Sequence, residues 1–372
     1  MTVPLEDKSI ESELNNELHD RSSKFDKKYP YISVIITVHD RREFIKEAIY
    51  SVINQTLNRA LYEIIVVKNF DDQEIDKIIL EKNIINIKVK VHSSIGDDLS
   101  RAIAKAKGDV IAFLDDDDLF MDNKLEVVYR TFMEQKNLVY FHNNQYFIDD
   151  NGDQAKFWLN NSNEDLILKD IKSFSEMWKL QKEGLVFNMS SISIKRNKII
   201  EYLRQLEKIN TNQDDFTFLV STVENDGIIM LLGEKLTKYR LHNSASINLN
   251  NDRNEFLNHK IGRLKDSISE EEIIIEPLDR NKIYRTFVKF ELIIDRINLH
   301  LLDNKDDITL NDLIFYSFMS FKIKSLKSKR DCIYHLTLFI LSKISYHQAR
   351  EFYRNRSFKY NQNITSRYLK SK

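Results

Sequence analysis

Short apolar runs rich in β-branched residues alternate with segments of helical periodicity along the first third of the chain. The runs are residues 31–38, 63–67 and 110–114, and residues 87–91 alternate like an edge strand. Uninterrupted apolar runs of this kind are typical of parallel strands that are covered on both faces. Single helices between them imply right-handed crossovers. The alternation therefore predicts an α/β fold with a mostly parallel sheet flanked by helices.

Four consecutive carboxylates, Asp115–Asp118, follow directly after the last of these runs. Open parallel sheets bind their ligands at the carboxyl ends of the strands. Adjacent carboxylates raise each other's pKa unless a cation or hydrogen-bond donors offset the repulsion. A divalent metal that carries a phosphorylated substrate would do so. The alternative is a solvated acidic loop, or an N-cap cluster for a helix that begins near Asp122.

Helix signals lie between the strands and dominate the C-terminal third. The first predicted helix has Asp40 available as its N-cap. A later one is predicted over Asp98–Lys107, because its apolar residues have helical spacing and Gly108 suits its C-terminal end. From about residue 249 the pattern becomes helical. The helical segments predicted there are an apolar stripe over 283–301 and helices near 309–326 and 332–346.

Composition argues against several classes of protein. The 372 residues are 42% hydrophobic, which is enough for a large core and two or three structural units. Cys332 is the single cysteine, so no disulfide can form within the chain and a reducing, cytoplasmic setting is expected. The acidic N-terminus lacks the pattern of a signal peptide, and no stretch reaches the roughly 18 apolar residues of a membrane span. Neither GxGxxG nor GxxxxGK(S/T) occurs, which argues against a dinucleotide dehydrogenase and a P-loop kinase.

The formal net charge of -1 conceals an uneven distribution. Residues 321–372 hold 13 Lys/Arg against 2 Asp/Glu, so they carry +11 and residues 1–320 carry -12. Apolar residues are interleaved with these cations. The pattern favours an anionic membrane surface over nucleic acid as the partner, with peripheral attachment at the inner face of the cell membrane. A solvated helical surface is the alternative.

Five segments resemble the inverting family 2 glycosyltransferases of the GT-A fold. They follow the family's order and approximate spacing over roughly residues 31–247, and they read YISVIITVHDRREFIKEAIYSVINQTL, EIIVV, AKGDVIAFLDDDDLF, NQDDFTFLV and YRLHNSASI. The resemblance implies a GT-A-like sheet and a sugar donor activated as a nucleoside diphosphate. With the patterns above, it predicts four regions. These are a helical arm at 1–28, a nucleotide-sugar-binding half at 29–150, an acceptor-binding half at 151–248 and a helical, basic region at 249–372.

The resemblance also implies roles for individual residues. Asp117, the last acid of the DxD element, would bind Mn²⁺ or Mg²⁺ on the donor diphosphate, with His242 close to the diphosphate and the metal. Asp215, next to Asp214, would be the general base that takes the proton from the acceptor hydroxyl. Without the resemblance, this pair could equally cap the helix that follows. The residues expected to bind the nucleotide and its sugar are Thr37, Val38, His39, Asp40, Asn69, Arg101, Asp115 and Asp116.

Two segments depart from the family's pattern. Lys68 and Asn69 stand where the family usually has aspartates that help to recognise the base of the donor. Asn69 can still accept a hydrogen bond, but Lys68 reverses a charge, so uridine specificity is not implied. The segment around Gly96 is about two residues shorter than the common pattern. Arg101 is therefore either the family's pocket arginine or a surface arginine.

These observations predict a metal-dependent inverting glycosyltransferase, of the hexosyl- or N-acetylhexosaminyl-transferase class, in lipid-linked glycan or surface polysaccharide synthesis. Its partners would be a nucleoside diphosphate sugar and a glycan or lipid-linked acceptor, and no nucleic acid is expected. The alternative is a catalytically degenerate protein of the same fold that binds nucleotide sugar, motivated by Lys68 and Asn69. A nucleotidyltransferase that uses the acids for two metals is a third hypothesis, and the lack of a Gly-rich, basic nucleotide loop argues against it.

Overall fold

A computed structural model describes most of the chain. The described residues are 30–38, 41–90, 93–155, 164–182, 184, 186–224, 226–242, 252–304 and 308–369. The predicted arm at 1–28 and two predicted site residues, His39 and Asp40, lie outside them. Within this part of the chain, one mixed nine-stranded sheet is flanked by helices and followed by a helical region.

The strands are β1 Ile32–Val38, β2 Tyr62–Lys68, β3 Ile85–Lys88, β4 Val110–Asp115, β5 Leu119–Phe120, β6 Leu138–Ile148, β7 Leu166–Leu168, β8 Ile192–Lys195 and β9 Ile228–Arg240. Their order in the sheet is β3-β2-β1-β4-β8-β6-β9-β5, with β7 beside β9. The first four strands of this order are parallel, which confirms the predicted parallel sheet. Beyond β4 the sheet is mixed, because β8 runs antiparallel to β4 and β6 whereas β9 runs parallel to β6.

Seven helices of the described chain precede residue 242. They are α1 Ile45–Ile53, α2 Gln73–Glu81, α3 Ile95–Lys105, α4 Lys124–Glu134, α5 Phe174–Lys182, α6 Leu203–Leu206 and α7 Gln213–Thr222. Five longer ones form the C-terminal helical region. They are α8 Arg253–Ile275, α9 Lys282–Asp303, α10 Leu310–Lys322, α11 Leu326–Ile344 and α12 Tyr346–Leu369. The predicted appended helical region is thus confirmed.

Helix α3 begins three residues before its predicted start at Asp98. Ser94 caps it by accepting a hydrogen bond from the N–H of Asp97 at 3.0 Å, and this cap lies upstream of the apolar stripe used for the prediction. Gly96 sits inside the first turn because there is no room for a side chain. A Cβ atom there would lie 1.9 Å from the carbonyl oxygen of Leu206 and 2.2 Å from that of Ile209. The N-terminal end of α3 is therefore packed directly against the loop after α6.

The C-terminal helices share a continuous core with the sheet. Trp178 of α5 packs edge-to-face on Phe290 of α9, with ring centroids 5.5 Å apart. Phe218 of α7 stacks on Tyr284 at 6.0 Å. Buried aromatic pairs of this kind contribute about 0.5 to 1.5 kcal/mol each beyond the area they bury. None of the helices described is both long enough and apolar enough to cross a membrane.

Candidate active site

A cavity of about 730 Å³ opens at the carboxyl ends of β1 and β4. The two strands are neighbours, and their register pairs Thr37 with Asp115. The edge of the sheet therefore brings together residues that are far apart in sequence, as open α/β sheets do at their ligand sites. The predicted site residues that line the cavity are Thr37, Asp115, Asp116, Asp117, Asp214 and Asp215.

The strand-end acids are crowded and largely removed from water. Burial and the charges of Asp117 and Asp116 raise the pKa of Asp115 to about 7. Burial likewise raises the pKa of Asp116 to about 6, although Arg41 acts in the opposite direction. The pKa of Asp118 lies well above its usual value, mainly through burial. Burial is thus the main cause of the three raised pKa values, and repulsion between the acids adds to it at Asp115 and Asp118.

Arg41 supplies the nearest positive charge. Its guanidinium pairs with Asp116 and lies 2.8 Å from a carboxylate oxygen of Asp117. The Nε2 atom of His242 is 2.7 Å from the same Asp117 oxygen and 3.0 Å from Nη1 of Arg41. Burial raises the pKa of Asp117, but the contacts with His242 and Arg41 outweigh it and leave that pKa below its usual value. Sequence reasoning missed Arg41, although an arginine placed just after β1 shares the edge at which β4 ends.

Three of the acids form a group that suits a cation. Asp115, Asp117 and Asp118 each offer an oxygen, and these atoms lie within 4.8 Å of one another. Hard divalent cations such as Mn²⁺ and Mg²⁺ prefer an all-oxygen donor set of this kind. Asp118, which was not among the predicted ligands, is fully buried and accepts a hydrogen bond from the N–H of Arg240 at 2.8 Å. The oxygens of these three acids therefore fit a hard divalent cation.

Asp214 and Asp215 lie in the first turn of α7, on the cavity wall. Asp214 accepts a hydrogen bond from the N–H of Asp215 at 3.0 Å, so it also performs part of the capping function considered from the sequence. Burial and the charge of Asp215 raise the pKa of Asp214 to about 8. Burial and mutual repulsion thus favour one shared proton on this pair of carboxylates.

Three predicted binding residues do not line this cavity: Val38, Asn69 and Arg101. Arg101 lies on the exposed face of α3, where it pairs with Asp97 at 3.0 Å. This position is that of a surface arginine, the second of the two alternatives considered from the sequence, because the side chain pairs with its own helix outside the cavity. Asn69 is buried just beyond the end of β2, at the same edge of the sheet as Thr37.

Lys68, the charge-reversing departure, is fully buried at the end of β2. Its ammonium group lies 2.8 Å from a carboxylate oxygen of Asp76 and donates to the carbonyl oxygen of Phe70 at 2.5 Å. The positive charge is therefore paired with α2 rather than directed into the cavity. Burial of a paired charge of this kind makes Lys68 a structural residue of the β2–α2 connection.

The opposite wall of the cavity comes from the C-terminal helical region. His259, Gly262, Arg263 and Asp266, one face of α8, line it. These residues lie outside all five motifs, so the sequence resemblance could not identify them. Their spacing of three to four residues is the one feature of the sequence that groups them, because residues at such positions share one face of a helix.

The family model and the related sequences agree on one family. The family model described as glycosyl transferase family 2 matches residues 33–204. An uncharacterized glycosyltransferase of Methanocaldococcus jannaschii is 30% identical over 220 residues, which cover 58% of this chain and 72% of that protein. One of Rickettsia bellii is 35% identical over 124 residues, 32% of this chain and 18% of its own length. Among solved structures, S. aureus TarS 1-349 in complex with UDP-GlcNAc is 14% identical, with 91% of each chain covered and a TM-score of 0.47.

Proposed function

Because this chain belongs to glycosyl transferase family 2, we propose that it transfers a sugar from a nucleoside diphosphate donor to an acceptor hydroxyl, with inversion at the anomeric carbon. The observation that carries this proposal is the pairing of two acidic groups in one cavity. Asp115–Asp117 end β4, and Asp214 and Asp215 begin α7 on another wall. A donor diphosphate at the first group and an acceptor at the second would bring the reacting atoms together.

Metal dependence is the second part of the proposal. Asp117, with Asp115 and Asp118 beside it, would hold Mn²⁺ or Mg²⁺. A bound divalent ion neutralises the charge that develops on the leaving diphosphate. Asp116 would remain paired with Arg41 and face the ribose or sugar, and His242 would orient Asp117 together with Arg41.

We assign the general base to Asp215. Asp215 stands at the position where the family resemblance implies the base, and burial together with the charge of Asp215 raises the pKa of Asp214, which favours a proton on Asp214. Loss of that proton makes the oxygen a stronger nucleophile as it attacks the anomeric carbon and the bond to the diphosphate breaks. The protonated Asp214 would donate a hydrogen bond rather than compete for the proton.

Incubation with a panel of nucleotide sugars tests the proposal. Released diphosphate is measured with Mn²⁺, with Mg²⁺ and with a chelator, in the wild type and in Asp215→Asn. We expect one or a few donors to be turned over, only with metal and far more slowly by Asp215→Asn than by the wild type. Binding of a nucleotide sugar without turnover would instead favour the catalytically degenerate alternative. Release of pyrophosphate from a nucleoside triphosphate would favour a nucleotidyltransferase.

The acceptor proposal concerns the C-terminal helical region. Exposed apolar side chains recur along α10, and Leu310, Ile314, Phe318 and Phe321 are each more than half exposed. Cations follow at Lys322, Lys324, Lys327, Lys329 and Arg330. An exposed apolar stripe beside a basic cluster suits an anionic membrane surface. We propose peripheral attachment there, and hence an acceptor that belongs to lipid-linked glycan or surface polysaccharide synthesis. The enzyme would be a hexosyl- or N-acetylhexosaminyl-transferase.

A further inference from the structure

Glu270 of α8 reaches from the C-terminal helical region to the loop that precedes the proposed base. The side chain is 97% buried, with only 3% of the residue exposed. It lies one turn beyond Asp266, which lines the cavity from the same helix. None of the five sequence motifs includes it, and it lies beyond the family match at residues 33–204.

The Glu270 carboxylate accepts hydrogen bonds from three successive backbone N–H groups. One oxygen lies 2.6 Å from the nitrogen of Asn210 and 2.9 Å from that of Thr211. The other lies 3.0 Å from the nitrogen of Thr211 and 2.9 Å from that of Asn212. Ser267, one turn earlier, accepts a further hydrogen bond from the side-chain amide of Asn212 at 3.2 Å. Glu270 thus holds the loop through its main chain, and Ser267 adds one contact with a side chain.

Helix α3 holds the other side of the same loop. The side chain of Asn210 accepts a hydrogen bond from the N–H of Ile95 at 3.2 Å, and Ser94 donates to the carbonyl oxygen of Glu207 at 2.9 Å. Gly96 lies directly against the carbonyl oxygens of Leu206 and Ile209. The loop therefore lies between α3, which it contacts through uncharged groups, and the Glu270 carboxylate of α8.

The loop that Glu270 contacts leads directly into the proposed catalytic residues. Asn212 is the N-cap of α7, and Asp214 and Asp215 follow in its first turn. The N-terminal end of a helix favours a nearby negative charge, and Glu270 places one at the N–H group of the N-cap residue, Asn212. A shift of about 1 Å in a reacting group can reduce turnover by about 10²-fold.

We propose that Glu270 is a positioning residue, which fixes the loop at 210–212 and thereby the direction in which Asp215 faces the acceptor. This inference rests on the proposed role of Asp215 as the base. Glu270 acts through the loop and does not touch a substrate. The C-terminal helical region is accordingly part of the catalytic apparatus.

Glu270→Gln tests this role because it preserves shape but replaces one acceptor oxygen with an NH₂ group that faces an N–H donor. Glu272→Gln is the matched control, since Glu272 lies on the same helix but pairs with Arg296 near the surface. We expect amide hydrogen exchange at 210–212 to accelerate by about 10-fold or more in Glu270→Gln and to be unchanged in the control. Unchanged exchange in Glu270→Gln would overturn the proposal.

Kinetics give the second readout. At saturating donor and acceptor, Glu270→Gln should reduce kcat by about 10 to 10²-fold with little change in the KM for the donor. In an Asp215→Asn background the same substitution should have almost no further effect, because the residue it positions is already lost. An equal loss of kcat in both backgrounds would refute positioning through Asp215.

Two further outcomes remain decisive. If Asp215→Asn alone retains turnover, the base assignment fails, and amide exchange still decides whether Glu270 holds the loop. If Glu270→Gln does not fold, Glu270→Asp replaces it, since this change keeps the charge but shortens the side chain by one CH₂ group and weakens its contacts with the three N–H groups. We then expect faster exchange at 210–212 and a fall in kcat of about 2- to 5-fold. Wild-type exchange and kcat in Glu270→Asp would contradict the proposal.

Discussion

The sheet-containing part of the chain and the C-terminal helical region contribute to one cavity in different ways. The first places carboxylates at the end of β4 and at the start of α7, and residues 1–248 carry a formal charge of -8. The second supplies one wall through α8, and residues 249–372 carry +7. On the proposals above, the chemistry belongs to the sheet-containing part, whereas placement of the loop and attachment to a membrane belong to the helical region. Each of the following predictions tests this division.

Asp117→Ala should have the largest effect. The substitution removes the central member of the donor set, so we expect no detectable metal-dependent turnover and no saturable Mn²⁺ binding by electron paramagnetic resonance. The fold should be retained, since a repelling neighbour of Asp115 and Asp118 is lost. Asp71→Ala, at an exposed surface pair with Lys88, is the control. Near wild-type turnover in the presence of a chelator would refute the metal assignment.

Asp215→Asn should reduce kcat by about 10² to 10⁴-fold and leave donor affinity nearly unchanged. The amide has the shape of the carboxylate but cannot accept the proton. Steady-state kinetics and calorimetric titration with the donor separate the two quantities. If donor affinity collapses while turnover at saturation survives, Asp215 is a binding residue and the chemistry must be assigned elsewhere.

Asp214→Asn should increase stability at alkaline pH. The pKa of Asp214 is about 8 in the folded protein and near 3.8 in the unfolded chain. Between these values the folded protein holds a proton that the unfolded chain has lost, so the free energy of unfolding falls as the pH rises from about 4 to about 8. We expect the variant to be about 1 to 3 kcal/mol more stable than the wild type at pH 8, but not at pH 4. Urea unfolding at both pH values measures this, and equal pH slopes would contradict it.

Substitution of the basic cluster should have the smallest effect on chemistry. Glutamine at Lys322, Lys324, Lys327, Lys329 and Arg330 should weaken sedimentation with anionic liposomes by about 1 kcal/mol for each cation that reaches the surface. Turnover of a soluble acceptor analogue should be unchanged. Rising salt should weaken wild-type binding, because exposed charges are screened.

A matched control keeps the change in charge and moves it to the sheet-containing part. It replaces five exposed lysines with glutamine, at Lys77, Lys82, Lys90, Lys105 and Lys107. Liposome binding by the two variants should then differ. If both sediment as the wild type does, the C-terminal cluster is not an anchor, and the proposal of a lipid-linked acceptor loses its main support.

Strand periodicity made the sheet predictable. The runs at 31–38 and 110–114 became β1 and β4 almost without change, because a strand covered on both faces leaves an unbroken apolar pattern. Helix ends were less predictable. The start of α3 is set by Ser94 and by close contact at Gly96, and that contact involves residues more than 100 positions away.

The site divides in the same way. The acids of β4 and α7 could be identified because they are adjacent in sequence and belong to motifs. Arg41, Asp118 and the α8 face could not be assigned roles, since their neighbours depend on how separate elements pack. The charge of Lys68 suggested a different base pocket, but pairing with Asp76 accounts for that charge inside the protein. Burial and partners are not visible in a one-dimensional pattern.

Helix α8 has a consequence for how this chain can diversify. Its residues His259, Arg263 and Asp266 face the cavity, and Glu270 on the next turn holds the loop before Asp214 and Asp215. Exchange of the C-terminal region between relatives would therefore replace the cavity wall formed by α8 and the Glu270 contact with the loop at the same time. If the proposed roles hold, one helix affects both acceptor choice and catalytic rate, and a hybrid protein keeps its full rate only when the incoming helix also fits the loop of its host.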